Sequence, residues 1–258
     1  MAAAFELSAT AALRERFAVT VYQAGWRLDG KGASGRDAGP GRRIEEHGLH
    51  VWFGFYEHAF SLMRRCYGAL GEQAPHRPWT RAFVPVETLA LVDRHEDGWT
   101  TWPLQLPADP PATEPLAPMR PGTYDLAFAY RDGDRGRPDV AAGVFVENLA
   151  RIMFKHRGTF MARLRGGMGD VVFAPLYDLL RDRRGVEIRL FHWITALGPA
   201  DDGRTVERIE LVRQAGSAAD AYDALDTLRD GLRVWPSRPL WERLPPGARL
   251  PATTSSAP

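Results

Sequence analysis

Apolar residues fall into short runs of two periods, separated by breaks rich in glycine and proline. Met1 to Leu7 is built from strong helix formers and continues through Ala11, Ala12, Leu13 and Arg14, predicting a first helix over 1–14. Phe17 to Tyr22 (FAVTVY) is β-branched and aromatic and predicts a buried strand. A glycine-rich, basic loop follows from Gly25 to Gly41, and then an apolar, aromatic run, Ile44 to Phe55, with His47, Gly48 and His50 embedded in it. Phe60, Met63, Tyr67 and Leu70 recur at helical spacing, predicting a helix over 59–70. Phe83 to Val92 and Trp99 to Leu106 read as strands around the polar turn Arg94 to Gly98, and Pro107 to Pro121 as a proline-rich linker. Val140 to Phe160 carries an apolar face suited to one or two helices. A second glycine cluster, Arg165 to Asp170, precedes a helix over 173–183 and a strand over 186–191. Ile194 to Leu197 and Thr205 to Val212 form a hairpin around Ala200-Asp201-Asp202-Gly203. The Pro/Ser/Thr/Ala-rich tail, 245–258, reads as disordered.

Composition narrows the function classes. A formal net charge of +1 over 258 residues supplies no field to draw in nucleic acid or an anionic membrane. Lys31 and Lys155 are the only lysines, so arginine carries nearly all of the basic charge. The single cysteine, Cys66, excludes an internal disulfide framework and fits a reducing, cytoplasmic setting. No apolar run approaches the roughly 20 residues of a spanning helix, and Met1 to Leu7 lacks the pattern of a signal peptide.

The candidate chemistry begins where the FAVTVY strand ends, at Gln23-Ala24-Gly25-Trp26-Arg27-Leu28-Asp29-Gly30-Lys31-Gly32-Ala33-Ser34-Gly35-Arg36. In a Rossmann-type half, a polar side chain at the end of the second strand bonds the ribose hydroxyls. Glycines let backbone N–H groups approach a pyrophosphate, and Arg or Lys neutralises it. Gln23, Arg27 and Lys31 stand in the order those roles require. The plain alternative is a basic surface loop between two strands.

This stretch resembles the E-A-x-x-R-x-G-G-[RK] segment of FAD-dependent oxidoreductases of the flavin amine oxidase/phytoene desaturase type, here Q-A-G-W-R-L-D-G-K. The resemblance implies that Gln23 holds the FAD ribose and that Arg27 and Lys31 hold the diphosphate. Gly30 and Gly32 permit the approach, and Ala33 and Ser34 continue the same cofactor-binding turn. Gln23 replaces the usual glutamate and brings no charge. Asp29 stands where the first glycine of the pair is expected, and a carboxylate beside a pyrophosphate costs binding unless a cation pairs with it.

Such enzymes open with a strand and a G-x-G-x-x-G turn, which is absent ahead of FAVTVY, so the chain reads as one that starts late and binds FAD weakly or not at all. The run Glu45 to Tyr56 resembles the segment that passes the isoalloxazine ring. There Gly48 would let the backbone approach, and His47 or His50 would handle a proton or contact ring or substrate, beside an aromatic wall. A structural histidine pair and a metal site are the alternatives. For metal, HExxH is absent and no further ligand cluster supports it, so none is expected. The stretch Gly166 to Leu180 and the following hairpin resemble the return to the cofactor domain, with Ile194 at the adenine-contacting position and Asp170 as a helix cap.

These readings combine into an α/β fold: an incomplete Rossmann-type FAD-binding portion from residues 1–80 and 160–215, with an interleaved α+β substrate-side portion at 81–159. A return segment at 216–244 and the tail complete the chain. The function implied is hydride transfer to FAD from a small apolar (carotenoid- or terpenoid-like) or amine substrate. The alternative is a truncated, non-catalytic remnant of the family.

Overall fold

A computed structural model of the chain describes residues 1–37, 39, 41–48, 50–95, 98–106, 158–216 and 222–244, with single positions at 143, 146, 147 and 150. In chain order, the first elements are helices α1 (Ala2–Leu7) and α2 (Ala11–Arg16) and strands β1 (Thr20–Tyr22), β2 (Ser34–Arg36), β3 (Ile44–Glu46) and β4 (Val51–Phe53). Helix α3 (Glu57–Leu70) then precedes strands β5 (Phe83–Pro85), β6 (Thr88–His95), β7 (Gly98–Gln105) and β8 (Met161–Leu164). Helix α4 (Ala174–Asp178) is followed by strands β9 (Glu187–Arg189), β10 (His192–Pro199), β11 (Val206–Arg213), β12 (Asp226–Thr227) and β13 (Arg233–Val234). The linker at 107–121, most of the helix expected over 140–160 and the tail at 245–258 lie outside the described residues.

The chain divides into two compact units. The first comprises residues 1–49, 69–75 and 166–258, and the second residues 50–68 and 76–165. In the first, β1 and β9 form a parallel pair with Val21 opposite Ile188. Val21 and Ile188 pack on a core of Leu28, Tyr177, Leu190, Phe191, Tyr222, Leu225 and Trp235. The Tyr177 and Trp235 rings meet edge to face, with centroids 5.2 Å apart. Two strands joined in parallel across more than 160 residues are the core of an α/β arrangement, and the α/β expectation holds. The hairpin β10–β11 pairs antiparallel, with irregularities at Ile194/Ala196 and Gly198/Pro199.

The single helix expected over 1–14 is two. Ser8 donates to the carbonyl of Ala4 (2.6 Å), while the Thr10 side chain accepts from the Leu13 N–H (3.2 Å) and starts a new helix. Short hydroxyl side chains that bond nearby backbone groups interrupt a helix in this way. The second helical run starts earlier than its apolar pattern suggests, at Gly169. It is π-wound over Gly169–Phe173 and Leu179–Arg183, on either side of α4. Pro175, near the first change of winding, has no N–H to bond back into the preceding turn.

In the second unit β8 lies between β4 and β5, antiparallel to both. Phe60 and Met63 of α3 are fully buried, and Phe60, Trp52 and Phe83 form an aromatic cluster with ring centroids 4.8–5.5 Å apart. The run read as one strand over 83–92 is divided: Phe83–Pro85 pairs with β8, and Thr88–His95 pairs with β7.

Candidate functional site

The site grows from the carboxyl end of the parallel pair in the first unit. The strand pairing runs out at Gln23, whose N–H donates to the Arg189 carbonyl (2.9 Å) and whose carbonyl accepts from His192 N–H (2.9 Å). In parallel α/β sheets, ligands bind outside this end of the strands. The Gln23 carboxamide N–H donates to the neighbouring Ala24 carbonyl, and its oxygen has no donor among the described residues.

The chain then turns through Gly25 (φ 75°) and Gly30 (φ 54°), and a Cβ at either would meet open space. Their conformation calls for glycine while the space beside them is free, as in loops whose backbone is approached by a ligand. The turn is closed by hydrogen bonds from Gly32 N–H to Asp29 O (3.0 Å) and Ala33 N–H to Gly30 O (3.2 Å). Lys31 is exposed and has no ion pair among the described residues. Arg27 lies over the Trp26 ring at 5.4 Å and donates to the Ser34 carbonyl at 3.3 Å.

Asp29 takes a conformation rare for any side-chain-bearing residue, φ 122°. Its side chain turns inward, and neither carboxyl oxygen has a hydrogen-bond partner among the described residues. Burial pushes its carboxyl up to about 8, against the pull of Arg27 and with a further push from Asp170. It is therefore mostly protonated at neutral pH. The sequence reading set an ionised carboxylate beside a diphosphate; Asp29 instead sits under the turn and neutral.

Beneath the turn lies the second glycine cluster. The Ser34 hydroxyl donates to Glu46 Oε1 (2.6 Å) and accepts from the Gly169 N–H (2.8 Å), while the Met168 N–H donates to the same Glu46 oxygen (2.6 Å). Asp170 Oδ2 accepts from the Gly167 N–H (3.1 Å) and pairs with Arg36. Burial raises the Asp170 carboxyl to about 6, against the attraction of Arg36 and the Gly167 hydrogen bond. Asp170 stands in the first turn of the helical run that follows, and its side chain reaches back to the N–H of Gly167, whose carbonyl accepts from the Asp170 and Val171 N–H groups, as the capping expectation for it requires. A Cβ on Gly167 would lie 2.4 Å from Ser34 Oγ, and one on Gly169 3.0 Å from Asp29 Oδ2, so both glycines are set by close approach. Gly32 likewise packs against Phe173, where a Cβ would lie 2.7 Å from the ring. From the far end of the chain, Ser237 Oγ accepts from the Arg36 N–H (2.6 Å), and the Trp26 indole N–H donates to the Pro236 carbonyl (3.1 Å).

Gln23, Arg27, Gly30, Lys31, Gly32, Ala33 and Ser34 thus form one continuous loop, of which Ser34 and Gly32 face the protein rather than an open surface. His47 and Gly48 follow β3 in the first unit, exposed, with Gly48 at φ 90° and, among the described residues, open space where a Cβ would stand. His50 belongs to the second unit. Ile194 stands on β10, 39% exposed and opposite Leu211. Among the described residues, no three His, Cys, Asp or Glu side chains gather as a metal site requires. Sequence reasoning missed Glu46 and Asp170 as anchors of the loop. The only signal was their place next to the histidine run and inside the glycine cluster.

The fit of a dinucleotide is uneven across these groups. The Gln23–Lys31 turn offers open glycines, a carboxamide oxygen without a donor among the described residues, and an exposed cation. The N–H groups of Gly167, Met168 and Gly169 are already used by Asp170, Glu46 and Ser34. No helix among the described residues is long and apolar enough to cross a membrane. No curated protein and no solved structure matches the chain. Residues 1–66 match the family model of an NAD(P)-binding Rossmann-like domain, which agrees with the α/β fold and supports dinucleotide binding and a redox role in general terms.

Proposed function

We propose that the chain is an FAD-dependent oxidoreductase of the amine oxidase/phytoene desaturase type, with the Gln23–Lys31 turn as its cofactor loop. The observation that carries this reading is the position of the turn: it leaves the carboxyl end of a parallel strand pair with open, positive-φ glycines and an exposed lysine. Gln23 bonds the ribose hydroxyls through its carboxamide oxygen, Arg27 and Lys31 offset the diphosphate charge, and the neutral, inward Asp29 adds no repulsion. FAD, when bound, accepts a hydride from a small apolar or amine substrate. Ile194 contributes an apolar contact to adenine, Gly48 lets the backbone approach the ring, and His47 is the histidine of the same unit available for proton handling.

One observation favours a second reading, a family remnant that does not bind FAD productively: the N–H groups of the second glycine cluster are filled by the protein's own acceptors. A flavin titration of the wild type, Gln23→Ala and Lys31→Ala separates the two. The proposed reading expects saturable FAD binding that each substitution weakens about five- to tenfold, the size of one ordinary hydrogen bond or exposed ion contact. Equal affinity in all three proteins overturns the placement of the loop, and no binding by the wild type favours the remnant.

A further inference from the structure

The backbone N–H groups of Gly167, Met168 and Gly169 are three successive donors at a glycine turn, an arrangement that elsewhere cradles phosphates. Here each already has an acceptor from within the protein. Glu46 takes two donors on one oxygen: the Met168 N–H and the Ser34 hydroxyl, both at 2.6 Å. The same hydroxyl accepts from Gly169 N–H, so Glu46, Ser34 and the glycine turn form one chain of hydrogen bonds. Ser34 and Glu46 are direct partners across the antiparallel pair β2–β3, which presents the two side chains to each other. Ser34 begins the strand that Gly32 and Ala33 feed, immediately after the turn carrying Gly30 and Lys31. Arg36, two residues on in the same strand, is tied to Asp170 in the same glycine turn.

We propose that Glu46 is a positioning residue for the cofactor loop, acting through Ser34 and the Met168 amide to hold the Gly30–Ser34 segment on the second glycine cluster. The clamp needs an acceptor oxygen at this point, because the Ser34 hydroxyl and the Met168 N–H both donate to a single oxygen. A glutamine retains that acceptor, and an alanine removes it. With alanine, the Ser34 hydroxyl and the Met168 amide lose their common partner, the Gly169 amide loses a fixed acceptor, and the loop bearing Lys31 is released from its support. The effect on affinity rests on the flavin-loop reading; the clamp itself does not.

The test compares wild type, Glu46→Ala and Glu46→Gln by amide hydrogen exchange over residues 165–173 and by FAD titration, with circular dichroism to establish that each is folded. We expect exchange at Met168 and Gly169 to accelerate at least tenfold in Glu46→Ala and to return near the wild-type rate in Glu46→Gln. FAD affinity should fall about tenfold in the alanine variant and be largely restored in the glutamine variant. Unchanged exchange in Glu46→Ala overturns the clamp whatever the flavin result. Faster exchange with unchanged affinity overturns the positioning role and leaves the flavin-loop reading standing. A wild type that binds no FAD overturns that reading, and the affinity role with it, while the exchange data still decide the clamp. A Glu46→Gln variant as impaired as Glu46→Ala in both measurements would assign the role to charge and overturn the acceptor argument.

Discussion

Asp29 makes the buried underside of the Gln23–Ser34 loop measurable without any ligand. Its carboxyl is raised from 3.8 to about 8, first by burial and then by Asp170, with Arg27 opposing. In the unfolded chain it ionises near its ordinary value. Between about pH 4 and pH 8 the folded protein therefore holds a proton that the unfolded chain has released. Unfolding releases that proton, so stability falls as pH rises: the contribution is fully present below about pH 4 and lost above about pH 8. Inside this window the slope is about 1.4 kcal/mol per pH unit, or about 2.7 kcal/mol between pH 5.5 and 7.5. The perturbation is Asp29→Asn, which keeps the shape and removes the titration. Asp170, raised to about 6, titrates in both proteins and cancels to first order in the comparison. Urea unfolding at pH 5.5 and 7.5, at one ionic strength, should show the wild type losing about 2–3 kcal/mol more than the variant. Parallel pH dependences would refute the argument, because they would mean a carboxylate that is solvated and ionised in the folded protein.

Other substitutions probe the same region and its core. Asp29→Gly should stabilise by about 1 kcal/mol at pH 7.5, since release of the φ 122° strain and of an unpaired carboxyl outweighs the added chain entropy; a lower urea midpoint would count against strain at this residue. Gly167→Ala places a Cβ 2.4 Å from Ser34 Oγ and should cost about 1–3 kcal/mol by urea unfolding, whereas Gly25→Ala, open but at φ 75°, should cost about 1 kcal/mol. Trp235→Ala, at a fully buried position against Tyr177, should cost about 3–5 kcal/mol in the same assay, and a loss under 1 kcal/mol would contradict its place in the core.

Much of the α/β framework was legible because it rests on local pattern. Thr20–Tyr22, Glu187–Arg189 and the hairpin β10–β11 lie within β-branched or aromatic runs, and α3 follows the spacing of Phe60, Met63 and Tyr67. The break between α1 and α2 was less legible, because Ser8 and Thr10 act through single hydroxyls rather than through periodicity. At the site, the order Gln23, Arg27, Gly30, Lys31 could be read directly. What could not be read is which way Asp29 faces, and that Glu46 meets Met168 and Ser34 meets Gly169 across separations of 122 and 135 residues. Nothing in the residue types distinguishes an aspartate facing solvent from one turned under a loop. The second glycine cluster shows the same limit from the other side, since its glycines serve close packing against Ser34 and Asp29 while its amides go to protein acceptors.

The central claim, that the Gln23–Lys31 turn holds a flavin, is tested most directly by the visible absorption spectrum of the purified chain, recorded with and without added FAD after gel filtration. The account predicts flavin bands that travel with the protein, perturbed from those of free FAD. A colourless protein that leaves the spectrum of added FAD unchanged would contradict it and leave the Rossmann-like fold without a cofactor role in this chain.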